Sequence, residues 1–117
     1  MRKLLAAKAL LAASALPAFA DFTKVDDKSQ FVRLVEGKQL TRPLVNLSVS
    51  RDGAITGKGA MRDVRGSWQW QGGYFCRDLY WGERALGYNC QQVEVSGRTV
   101  RFTSDRGAGD SAEFSIR

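Results

Sequence analysis

Cys76 and Cys90 are the only two thiols in the chain, and no histidine accompanies them. The commonest general base and the commonest metal ligand are therefore both missing. Acid–base chemistry would fall to carboxylates, and Asp52, Asp63, Asp78, Glu83, Glu94, Asp105, Asp110 and Glu113 are the candidates. Two of them brought face to face could hydrolyse a glycosidic bond. No spacing selects a pair, and Asp52, Asp105 and Asp110 fall at turn signals, where an Asp side chain bonds nearby backbone. No serine stands in a nucleophile elbow. The sequence thus assigns no catalytic residue, no metal ligand and no cofactor site.

Binding chemistry is better represented. Trp68, Trp70, Tyr74, Phe75, Tyr80, Trp81 and Tyr88 crowd around the two cysteines. Strand alternation places Tyr74, Cys76, Asp78 and Tyr80 on one face and Phe75, Arg77, Leu79 and Trp81 on the other. Such aromatics either fill a core or line a binding face. Arg77, flanked by apolar residues, needs a carboxylate partner such as Glu83, Glu94 or Asp63, or else an anionic ligand. The loop Arg106-Gly107-Ala108-Gly109-Asp110 is a hairpin connection whose amides could also hold an anion. The ligand-binding candidates are therefore Trp68, Trp70, Arg77, Tyr80, Trp81 and Arg106. Gly57-Lys58-Gly59-Ala60-Met61-Arg62 imitates a dinucleotide-binding turn, but Arg62 stands where the third glycine belongs and a Trp-rich strand follows.

The elements that must position these residues begin after an export signal. Arg2 and Lys3, the apolar stretch Leu4–Leu16 interrupted by Lys8, and Ala18-Phe19-Ala20 read as a signal peptide over residues 1–20. The apolar stretch is too short for a transmembrane helix. Cleavage after Ala20 leaves 97 of the 117 residues, enough for one domain. Arg2, Lys3 and Lys8 leave with the signal, so the formal charge of +6 falls to +3. That excess is too dispersed for nucleic-acid binding. In the oxidising compartment this implies, periplasmic or extracellular, Cys76 and Cys90 form a structural disulfide. Asp26–Gly37 reads as one short helix with Phe31, Leu34 and Val35 on its apolar face. Seven short strands follow: Val45–Val49, Ala54–Gly59, Ser67–Gln71, Tyr74–Trp81, Tyr88–Val95, Thr99–Thr103 and Ser111–Ile116. Turn signals between most of them predict a mainly β, monomeric domain, an antiparallel meander closing into a barrel or sandwich over residues 21–117.

The runs Gly66-Ser67-Trp68-Gln69-Trp70, Gly73-Tyr74-Phe75-Cys76-Arg77, Trp81-Gly82, Asn89-Cys90-Gln91 and Arg101–Asp110 carry a resemblance. They resemble a family of small exported bacterial proteins with one disulfide and no established function, often labelled dihydrodipicolinate reductase. The residues argue against that label, because such reductases have a two-domain fold, a Rossmann glycine motif and paired catalytic histidines. The chain is more loosely similar to exported protease and lysozyme inhibitors. These readings lead to a non-enzymatic binding domain for a ligand or an envelope protein. An inhibitor of an envelope protease or lysozyme and a small carboxylate-dependent hydrolase are the alternatives.

The exported protein is expected to begin at Asp21. Intact mass of the protein recovered from the periplasm checks this; a species retaining residues 1–20 contradicts it.

Overall fold

The computed structural model describes residues 21–117, so the expected signal peptide lies outside the described residues. The chain runs through β1 (Thr23–Lys24), α1 (Lys28–Val35), β2 (Leu40–Arg42), β3 (Val45–Val49) and β4 (Ala54–Gly59). It continues through β5 (Arg62–Gln71), β6 (Tyr74–Trp81), β7 (Arg84–Ser96), β8 (Thr99–Thr103), a 3-10 turn (Asp105–Gly107) and β9 (Ser111–Ile116). Each strand from β2 to β9 pairs antiparallel with its sequence neighbour, and β2 pairs with β9, Leu40 opposite Ile116. Backbone bonds exchanged between Gln39 and Arg117, both 2.8 Å, extend the seam. The result is a closed eight-stranded barrel, which leaves fewer adhesive edges than an open sheet. Closure decides between the two architectures that the meander allowed.

Among the described residues nine strands form rather than the seven expected. The additions are β1, which pairs with Val95 and Glu94 of β7, and β2. Both are too short to show a period of two. Two further strands start earlier than the alternation indicated: β5 at Arg62 and β7 at Arg84. Residues 84–88 are all exposed, so no apolar alternation marked them.

The helix is where the sequence placed it. Asp27 caps it, its carboxylate accepting from the Gln30 amide at 2.8 Å. That bond and the Ser29 hydroxyl hold the Asp27 carboxyl below its ordinary range. Gly37, at φ +72°, lets the chain leave in the left-handed conformation. The apolar face of α1 plugs one end of the barrel. Phe31, wholly buried, stands 5.3 Å from the rings of Trp68 and Trp70, 5.0 Å from Phe75 and 6.3 Å from Phe102. Val35, Leu40, Val93, Val100 and Ile116 complete this core. Two strand glycines let the wall bend. A Cβ at Gly57 would strike the Asn46 carbonyl, and one at Gly66 the Asp78 carbonyl.

Cys76 and Cys90 are direct cross-strand partners on β6 and β7 and are disulfide-bonded. At a sequence separation of 14, the bond is worth roughly 3 kcal/mol in the chain-entropy model. Reduction should lower the melting temperature by more than about 10 °C. Calorimetry with and without reductant measures it, and an unchanged transition would contradict a structural bond.

Candidate functional site

The helix fills only one end of the barrel, because Phe31 reaches no further than the Trp68–Phe75–Phe102 layer. Beyond that layer the inward-facing residues leave a cavity of about 280 Å³. Its apolar wall comes from Leu40, Leu47, Val49 and Ile55 of β2–β4, and from Phe75, Leu79, Phe102 and Phe114 of β6, β8 and β9. Arg77, Gln91, Ser104, Asp110 and Ser111 supply its polar residues. Arg77, Ser104 and Asp110 also border a polar groove that continues past Tyr88 and Asn89. Arg77 therefore stands at the neck between an apolar interior and a wet vestibule.

Strand lengths create this neck. β8 pairs with β7 only over Gln92–Ser96, so the first part of β7 has no β8 partner. The Ser104–Asp110 connection takes that place. Asn89 ties it down, its amide nitrogen donating to the Asp105 carboxylate at 2.8 Å and its amide oxygen accepting from the Asp105 backbone N–H at 3.0 Å. The connection turns through positive φ at Asp105 (56°), Arg106 (53°) and Gly107 (97°). Two of these three residues are not glycine.

Arg77 is half-buried, and burial pushes its guanidinium below the ordinary arginine range. Its Nη1 donates to the Gly87 carbonyl at 2.7 Å. A β-bulge leaves Leu86 without a partner between Gly87, opposite Leu79, and Ala85, opposite Tyr80. Gly87 itself has φ +89°. Bulges of this kind re-aim groups beside binding sites. None of the three carboxylates that the sequence offered as partners pairs with Arg77. Asp63 pairs with Lys58 at 2.8 Å, which holds its carboxyl below the usual range. Glu94 pairs with Arg101 at 3.0 Å. Glu83 makes no ion pair among the described residues, and neither does Arg77. Asp110 borders the same cavity without closing on it.

The remaining binding candidates are dispersed. Trp68 is 4% exposed and donates to the Ser50 carbonyl at 2.9 Å. Trp70 is half-buried against Phe31. Trp81 donates to the Gly59 carbonyl at 2.6 Å, beneath the Arg62 guanidinium. Tyr80 lies under Arg65, and Arg106 lies 5.6 Å from the Tyr74 ring. Of the six, Arg77 alone lines the cavity. Gln91, Ser104 and Ser111 were not singled out in the sequence. Gln91 could have been, because it shares the β7 face of the apolar Val93 and Val95. Gly57–Arg62 lies in the end of β4 and the turn into β5, with no helix after it, so the backbone of a dinucleotide turn is not formed. No group of three or more acidic or cysteine side chains is placed to hold a metal among the described residues.

No known protein family, curated protein or solved structure matches the chain.

Proposed function

We propose that the protein is a binding domain for a small amphipathic anion. The apolar part of the ligand occupies the barrel cavity and its acidic group meets Arg77. The observation that carries this reading is a half-buried guanidinium at the neck of an apolar cavity, without an ion pair among the described residues. An unpaired charge in such surroundings is costly to the fold, and a ligand carboxylate would offset that cost. Arginine suits the task because its planar fork takes a carboxylate through two parallel bonds. A volume near 280 Å³ lies at the small end for ligand pockets. At roughly 30 Å³ for each water-sized group, it holds on the order of nine such groups. That fits a medium-length acyl chain or a single substituted ring. An export signal and a disulfide would make it an envelope or extracellular protein, and a binding role needs none of the histidine that the chain lacks.

Titration calorimetry with decanoate and with the uncharged decanol tests the reading. Decanoate should bind saturably, about one per chain, and about tenfold or more tighter than decanol, since a bond to a charged group is worth about 1.5–3 kcal/mol. Arg77→Met should erase that preference without lowering the melting temperature by more than a few degrees, because the half-buried guanidinium has the Gly87 carbonyl and a through-space attraction to Asp78 but no ion pair. Equal affinity of the variant for decanoate, or an Arg77→Met protein several degrees less stable, would contradict the assignment.

A further inference from the structure

Leu44 and Met61 are 78% and 91% exposed, and folding does not explain why either is apolar. Both occupy the hairpin tips at the barrel end opposite α1, Leu44 between β2 and β3 and Met61 between β4 and β5. Leu44 follows Pro43 and has φ +67°, the third position of a turn that ordinarily takes glycine or asparagine there. Ala60 and Met61 are both at positive φ, 46° and 71°, where a two-residue hairpin ordinarily takes Asn-Gly. Left-handed backbone disfavours a branched or long side chain. Two adjacent turns thus hold large apolar residues in a conformation that suits them poorly, and aim them at solvent. The Ala60 amide donates to the Leu44 carbonyl at 2.8 Å, which locks the tips together.

The surroundings are cationic. Arg42 and Arg62 flank the two tips, and Arg84 closes the neighbouring β6–β7 hairpin. None of the three forms an ion pair among the described residues. Arg42 lies over the Phe114 ring at 5.6 Å and Arg62 over Trp81 at 4.6 Å. Stacking by the flat face leaves the N–H edges of a guanidinium open to phosphate oxygens. The acidic residues nearby are Glu83 and Asp63, the latter already paired with Lys58. Two point anchors are too small for the roughly 800 Å² per partner of a stable protein interface. A bilayer accepts apolar side chains one at a time.

We propose that this end of the barrel docks on an anionic lipid bilayer, with Leu44 and Met61 entering the acyl boundary and Arg42, Arg62 and Arg84 meeting lipid phosphates. The proposal does not depend on the cavity ligand. Co-sedimentation of the protein beginning at Asp21, which contains the whole barrel, tests it with two kinds of vesicle. One is an equal mixture of phosphatidylglycerol and phosphatidylethanolamine, the other phosphatidylcholine alone. Binding should be at least about tenfold stronger to the anionic vesicles and should weaken with salt. The double substitution Leu44→Asn/Met61→Asn should lose about tenfold or more of that binding while keeping or raising the melting temperature, since asparagine tolerates the left-handed conformation. Arg42→Gln/Arg62→Gln should reduce the preference for anionic lipid, and carries the test should the asparagine variant fail to fold. Native protein that stays in the supernatant with anionic vesicles overturns the proposal. So does a folded asparagine variant that sediments like the native protein.

Discussion

Phe31 is the side chain on which the barrel's organisation depends. A barrel of eight short strands must fill its interior or leave it open, and this chain does one at each end. At the α1 end, Phe31 joins Trp68, Trp70, Phe75 and Phe102 in a single aromatic layer. Aromatic rings at such separations add roughly 0.5–1.5 kcal/mol per pair beyond the area they bury. The helix that delivers Phe31 is only eight residues long and would not be stable alone. Asp27 starts it and the barrel holds it. Among the described residues no equivalent side chain enters from the other end, and the volume above the aromatic layer stays open as the cavity.

The neck of that cavity follows from a mismatch of strand lengths. β7 is 13 residues long and β8 only five, so the ladder between them stops at Thr103, opposite Gln92. The Ser104–Asp110 connection, fastened by Asn89, borders the gap without sealing it. The bulge at Leu86 and Gly87 offers one carbonyl to Arg77 and leaves the rest of the guanidinium without an ion pair among the described residues. The disulfide joins β7 to β6 at Cys90, three residues beyond Gly87, and holds the β6–β7 register on which the neck depends.

Most of the architecture was legible in the sequence because it is local. The Phe31/Leu34/Val35 stripe marked the helix, and seven of the nine strands were marked by alternation and turn residues. β1 and β2 were not, because two or three residues carry no period. The start of β7 was not, because residues 84–88 face solvent throughout and Gly87 reads as a turn rather than a bulge. Choosing a barrel over a sandwich required the β2–β9 contact between residues 40 and 116, which no local signal encodes. Among site residues, Arg77 was legible from its apolar neighbours, but the fate of its candidate partners was not. Asp63 and Glu94 are engaged by Lys58 and Arg101 on neighbouring strands, pairings set by register. Tryptophan spacing drew attention to Trp68 and Trp70, which belong to the layer around Phe31, and to Trp81, which is held to Gly59.

The central claim is that the apolar space above Phe31 receives a ligand. Methyl-resolved magnetic resonance measures this directly, because leucines report from inside and outside the barrel in one experiment. Leu47 and Leu79 line the cavity, whereas Leu44 and Leu86 are exposed. On titration with decanoate, the methyl signals of Leu47 and Leu79 should shift saturably together, with Leu44 little changed. Shifts confined to the exposed leucines, or interior signals that never move, would contradict the account.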